Sequence, residues 1–286
     1  MSGDWIAGSV RAHALAAGAR QDLAPAVLAS RGLGAAIAML SATRWVRDID
    51  AQTPLVAIER RVESSLLWQL RVLAGWLPSE GVEMVRSCAA WFEIRNVEDR
   101  LVYLAGGPPE TPFDLGRLGS ISRPLQSTGS AADIRRLLST SAWGDPGAED
   151  AYRVRIWMEH RWHRRVRDAA PDLRIWGDAA AWLLAVRERL ARRDGAELLA
   201  SRIPMLPVRW QWVTATQWTE ADLWSGEERW WEQLRQEGAL LLHSPVASSR
   251  PVVGALATLA VAAHELESAL EVASSTPTEE GLDATS

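Results

Sequence analysis

Residues 54–78 read PLVAIERRVESSLLWQLRVLAGWLP, and this stretch decides the fold class. Leu55, Ile58, Val62, Leu66, Leu70, Leu73 and Leu77 step by three and four, which lines one face of an α-helix. Pro54 stands at the start, where a missing N–H costs nothing, and Pro78 closes the run. The periodicity returns at Ala90, Ile94, Val97, Leu101 and Leu104, stopped by Gly106-Gly107-Pro108-Pro109. Ala179, Leu183, Val186 and Leu190 make another such face, and Val252, Leu256, Leu259, Ala263, Leu266 and Leu270 form a heptad-like stripe. Alternating runs of β-branched and aromatic residues are nearly absent, so the expected class is all-α. Loops are expected at Gly106 to Arg123, Gly144 to Ala148, Ile203 to Pro207 and His243 to Arg250. Ser275 to Ser286 lack apolar periodicity and read as a disordered tail.

The chain has 286 residues, 48% hydrophobic and 23% charged, which fits neither a disordered polar chain nor a membrane protein. Its longest apolar stretch, Val252 to Ala263, is too short to span a bilayer. Asp4 and Trp5 sit where a signal peptide would begin its apolar region, so the expected compartment is the cytoplasm. Cys88 is the only cysteine, which excludes an intramolecular disulfide and a cysteine-based zinc site. All 31 basic residues are arginine, and 16 Trp stand against 2 Phe and 2 Tyr. Such a bias suits a GC-rich coding sequence better than a nucleic-acid surface, and the net charge of -5 points the same way.

Internal repetition organises the chain. Leu40-Ser41-Ala42-Thr43-Arg44-Trp45 returns as Leu138-Ser139-Thr140-Ser141-Ala142-Trp143, and more loosely as Val213-Thr214-Ala215-Thr216-Gln217-Trp218. The pattern suits the end of a short helix whose hydroxyls bond the local backbone while the Trp turns inward. A second box follows each copy: Val97 to Leu101, Val186 to Leu190, and Leu266 to Leu270. Three pseudo-repeated helical units follow from this, over residues 1–125, 126–200 and 201–274, with residues 275–286 as the tail.

The string Trp91-Phe92-Glu93-Ile94-Arg95-Asn96-Val97-Glu98-Asp99-Arg100-Leu101 resembles the C-subunit family of the A-type and V-type ATP synthases, whose eukaryotic V-ATPase member is known as the d-subunit. That family closes its helical repeats with an acidic residue, then Arg-Asn, an aliphatic residue and a basic residue one turn on. Glu93, Arg95-Asn96, Val97 and Arg100 occupy those places, and Trp45 in the segment Leu40 to Asp48 takes that of a family aromatic. The later units lose the signature, with Ala185 and Glu265 standing where Asn96 stands. The resemblance implies a funnel-like helical protein without catalytic residues, seated on the membrane rotor ring and receiving the central shaft. It implies no cofactor, no metal, no nucleic acid and no small-molecule substrate, with membrane contact only through partner subunits. The alternative is a stand-alone helical adaptor that kept the fold and left the machine.

Two groups of residues are candidates for partner binding. Glu93, Asn96 and Arg100 share one side of a helix. They form either a local ion pair with Asn96 bonding a neighbouring loop, or, through the resemblance, a polar ridge around the shaft. Between Arg153 and Arg167, Val154, Met158, Trp162 and Val166 form an inward stripe, while Arg153, Trp157, Arg161 and Arg164 share a different face. That face is a cationic surface or a solvated Arg-on-Trp face. His160 and His163 have metal-ligand spacing but lack a third ligand, and His264, Glu267 and Glu271 read as a solvated helix face. Cys88 reads as an inert thiol, and Trp210, Trp212 and Trp224 as core filling. No nucleotide loop or nucleophile elbow occurs, and no catalytic residue is assigned.

Overall fold

A computed structural model describes residues 3–19, 23–46, 49–50, 52–191, 206–214 and 218–275. Among the described residues the chain is all-helical. The helices are α1 (Gly3–Ala19), α2 (Leu23–Leu28), α3 (Leu33–Leu40), α4 (Leu55–Ala74), α5 (Ser79–Ala89) and α6 (Trp91–Leu104). There follow α7 (Ser122–Gln126), α8 (Ala131–Ser139), α9 (Ala151–Ala169), α10 (Pro171–Leu190), α11 (Glu220–Leu242) and α12 (Arg250–Ser275). Short 3₁₀ turns stand at Gly116–Leu118 and Val208–Thr214. The tail beyond Ser275, the start of the loop at Ile203, and Ala215 to Gln217 of the third Trp box lie outside the described residues.

The chain divides into two compact units, residues 1–76 with 238–286, and residues 77–237. In the first, α12 is the central element, in contact with α1, α2, α3 and α4. Every member of its heptad-like stripe is buried, and so are Val253, Ala255, Ala257 and Val261 beside it. Over its first half α12 is enclosed on nearly all sides and is apolar all round, which a single stripe does not convey. Glu265, Ser268, Glu271 and Val272 of its second half are exposed. By length and composition alone, α12 is long and apolar enough to cross a membrane. In this structure most of its apolar residues are taken up by the unit's own helices. On α4, Ile58, Val62, Leu70 and Leu73 of the predicted face are buried, but Leu67 is buried where Leu66 is only half-buried.

In the second unit, α9 lies against α10, α6 and α5, while α7 and α8 attach to α6. Ala90, Ile94, Val97 and Leu101 are buried together with Ile121, Leu125, Ile134, Leu138, Trp143, Val154 and Met158. Gly106, at φ +96°, ends α6, and the amides of Gly106 and Gly107 return to the carbonyls of Tyr103 and Val102. The segment after it, read as a plain loop from its Gly and Pro content, is part of the interior. Phe113, Leu115, Leu118 and Ile121 are buried there. Reciprocal caps start two helices: Ser130 with Asp133 for α8, and Thr219 with Asp222 for α11.

Two glycines let α11 and α12 touch through their backbones within the first unit. A Cβ on Gly254 would meet the Gly238 carbonyl oxygen at 2.6 Å and the Leu242 nitrogen at 2.7 Å. A Cβ on Gly34, in α3, would meet nothing within 4 Å. Gly254→Val is therefore expected to cost about 1–3 kcal/mol in urea unfolding, through forced separation of the helices. Gly34→Ala is expected to be neutral or to stabilise by up to about 1 kcal/mol. Equal effects of the two substitutions would contradict this close approach.

Candidate functional site

The Glu93, Asn96 and Arg100 face of α6 is turned to the connector that runs from Phe113 to Thr128. Glu93 is 1% exposed, and both its carboxylate oxygens are used. Oε1 accepts the Ser120 amide and, at 3.0 Å, the Ile121 amide. Oε2 accepts the Ser120 hydroxyl at 2.7 Å and the Trp143 indole N–H at 2.8 Å. One turn on, Asn96 pairs with the backbone of Phe113, donating to its carbonyl at 2.9 Å and accepting its amide at 2.7 Å. Arg100 donates to the carbonyl of Thr128 and lies over the ring of Tyr103. Three polar residues on one face thus tie down three points of one connector. Of the two readings made from the sequence, Asn96 bonding a loop is the arrangement observed, and Glu93 is bonded to Ser120, Ile121 and Trp143 rather than to Arg100.

Trp143 joins this face to the arginine-rich helix. It ends the second Trp box and is fully buried. Its carbonyl accepts Trp157 Nε1 at 3.2 Å and Arg161 Nε at 3.1 Å, and the Arg161 guanidinium lies 4.9 Å from the Trp157 ring centre. Arg165 covers the Trp143 ring at 4.9 Å. Trp157 and Arg161 are therefore brought together with Glu93 through one residue, fifty positions from Glu93 in sequence. Arg153 and Arg164 stand apart from them, on the exposed side of α9. Arg153 has Asp150 at 3.9 Å, and other arginines of the segment also have acidic neighbours: Arg155 with Glu98 and Glu159, and Arg167 with Asp178.

The two complete Trp boxes have the same bonding. Thr43 donates to the Leu40 carbonyl at 2.7 Å and accepts the Trp45 amide at 3.2 Å. Ser141 donates to the Leu138 carbonyl at 2.8 Å and accepts the Trp143 amide at 3.1 Å. Each Trp is buried, and each Trp carbonyl is taken by the long helix that follows, through Ser65 in α4 and through Trp157 and Arg161 in α9. The hydroxyl spacing in the sequence was the signal for this turn.

The remaining candidates separate. Burial, then His160 and Arg187, pushes the His163 imidazole down to about 3, so it is neutral. Among the described residues no group of three His, Cys, Asp or Glu side chains is placed to hold a metal ion. Burial pushes the Cys88 thiol up to about 12, which keeps it from the nucleophilic thiolate form. Trp210 is fully buried and shares Glu237 with Trp176, whereas Trp224 is 72% exposed on the outer side of α11 and is not core filling. Sequence reasoning missed the partners of Glu93 on the connector, because Ser120 and Ile121 carry no local pattern that marks them. Comparison with protein-family models, with curated proteins and with solved structures found no match.

Removing the Asn96 side-chain amide takes away its two bonds to the Phe113 backbone in the interior. Asn96→Ala is expected to destabilise the chain by about 1–3 kcal/mol, the usual cost of losing a buried hydrogen-bond partner. Asn96→Asp can still accept from the amide but turns an anion toward the carbonyl, so it is expected to be no better than alanine. Equilibrium unfolding of both variants checks this, and a wild-type midpoint for either would contradict it.

Proposed function

We propose that the chain is a non-enzymatic coupling component of a V/A-type rotary ATPase, linking the membrane rotor ring to the central shaft. The single observation that carries this reading is the shared geometry of the two Trp boxes. The same helix end, hydroxyl turn, buried Trp and following long helix occur twice, which supports a pseudo-repeated helical architecture. The Glu93-x-Arg-Asn string supports it from another side. Glu93 and Asn96 hold a connector by both ends of their polar groups, so the string reads as a mark of the fold rather than of a reaction.

In this reading the third unit, over residues 201–274, and the funnel-like arrangement complete the set. The protein works mechanically at the cytoplasmic face of a membrane, reached through its partners. Helices cross-linked by buried polar contacts transmit torque as stiff bodies, and Arg153 and Arg164, exposed on α9, belong to a charged rim around a partner interface. The alternative is a stand-alone helical adaptor derived from the same fold. It is favoured by the burial of Glu93 and Asn96, which occupies with the chain's own connector the ridge that a shaft would use.

Affinity purification of the chain, tagged at its C-terminus, from gently solubilised membranes separates the two. The coupling role predicts nucleotide-binding subunits, shaft subunits and a small apolar ring protein in fixed ratio. Recovery of the chain alone, or with unrelated proteins only, overturns that role and leaves the adaptor.

A further inference from the structure

His13 on α1 holds its imidazole between two carbonyl oxygens. Nδ1 stands 2.8 Å from the Ser9 carbonyl oxygen, one turn back on the same helix. Nε2 stands 2.8 Å from the Leu242 carbonyl oxygen at the end of α11. All four groups belong to the unit formed by residues 1–76 with 238–286. A carbonyl oxygen only accepts, so each contact needs a proton on the ring nitrogen. A neutral imidazole has one N–H and carries a lone pair on its other nitrogen. Either neutral tautomer would set that lone pair against a carbonyl oxygen at 2.8 Å. Only the imidazolium satisfies both contacts.

The place suits a cation. Leu242 is the last residue of α11, where the final carbonyls have no amide partner within the helix and carry the negative end of its dipole. The amides of His243 and Ser244 return to the carbonyls of Leu240 and Leu241, and the Leu242 carbonyl is taken by His13. The turn that follows is held at its other end as well. The fully buried Ser9 donates its hydroxyl to the Ser248 carbonyl at 3.4 Å, just before α12 begins. Ser9 and His13, one turn apart, thus clasp both ends of the connection between α11 and α12, the two helices whose backbones meet at Gly238 and Gly254. His13 is exposed, so it exchanges its proton with water directly.

We infer that His13 is a proton-dependent clasp: as the imidazolium it ties α1 to the end of α11, and loss of its proton releases the Leu242 carbonyl. The Ser9 contact is the one that persists, because it lies within α1 and needs no second segment in place. Acidification closes the clasp on the connection between α11 and α12, and rising pH opens it. The elements packed on α1 bring other charged or titratable groups. Arg11 shares α1, His243 and Arg250 flank the turn, α4 carries Glu59, Arg60 and Glu63, and α12 carries His264, which burial shifts toward its neutral form. These act on the wild type and on a His13 variant alike, so comparing the two isolates the clasp.

The sign follows from which form makes more contacts. A proton that adds a native contact stabilises the native state at low pH, and the contribution is lost as pH rises through the range where imidazoles titrate. Urea unfolding of the wild type and of His13→Gln at about pH 5 and about pH 8 measures it. The wild-type advantage in unfolding constant is expected to be about fivefold greater at the lower pH, the scale of a cation at an exposed helix C-terminus. His243→Gln, whose native Nδ1 faces the Ala239 carbonyl of its own helix, is expected to leave that difference in place. The carbon resonance of the Leu242 carbonyl gives a second readout on the folded wild-type protein. It is expected to move as the His13 ring loses its proton, and to stay still over the same range in His13→Gln. An advantage that is constant or grows as pH rises overturns the inference, as does a Leu242 resonance that stays fixed while the His13 ring titrates or that moves equally in His13→Gln.

Discussion

A carboxylate taken out of water must find donors for its lone pairs or give up its charge, and Glu93 sets that condition for the middle of the chain. Its four donors come from the Ser120 amide and hydroxyl, the Ile121 amide and the Trp143 indole. None is on the helix that carries Glu93. Satisfying the acid therefore requires the connector after α6 and the second Trp box to be folded against α6 at once. Arg165 lies across the Trp143 ring and takes favourable charge from Glu93, so a cation balances the acid through the indole between them. The order α6, connector, Trp box, α9 is fixed by this set of contacts, with Asn96 and Arg100 securing the connector on either side.

The wealth of tryptophan acquires a physical meaning from the same constraint. An indole fills a core as phenylalanine would, but its N–H needs an acceptor when buried. Trp143 has Glu93, while Trp176 and Trp210 share Glu237, which Arg209 also contacts. Acids that a phenylalanine core would leave on the surface are thus drawn inward. Composition bias accounts for the number of tryptophans; glutamates take up the indole N–H of Trp143, Trp176 and Trp210, while Trp157, Trp162 and Trp230 turn theirs to backbone carbonyls. Where no enclosure is provided, as for Trp68, Trp76 and Trp224, the side chain stays half or more exposed.

What was legible in the sequence was whatever repeats. The apolar steps of α4, α6 and α12, and the hydroxyl spacing of the Trp boxes, are local patterns that a helix or turn translates directly into position. Lateral partners were not legible. Gly and Pro around residues 106–109 masked the buried Phe113, Leu115, Leu118 and Ile121, which lie in a connector of short turns instead of one regular helix. Asn96 is bonded to a residue seventeen positions away and Glu93 to one fifty positions away. The arginine run of α9 suggested a surface because its partners, Glu98, Asp178 and the Trp143 carbonyl, belong to other elements. The tie from His13 to the Leu242 carbonyl left no sign at all, since 229 positions separate the two.

The polar face of α6 is closed on its own connector. Amide hydrogen exchange at Phe113, Ser120 and Ile121 reads that closure directly. The structure predicts exchange at these amides as slow as at Val97 in the same helix. Exchange as fast as that of the exposed segment around Glu110, with Val97 still protected, would contradict it and leave Glu93 and Asn96 available to something outside the chain.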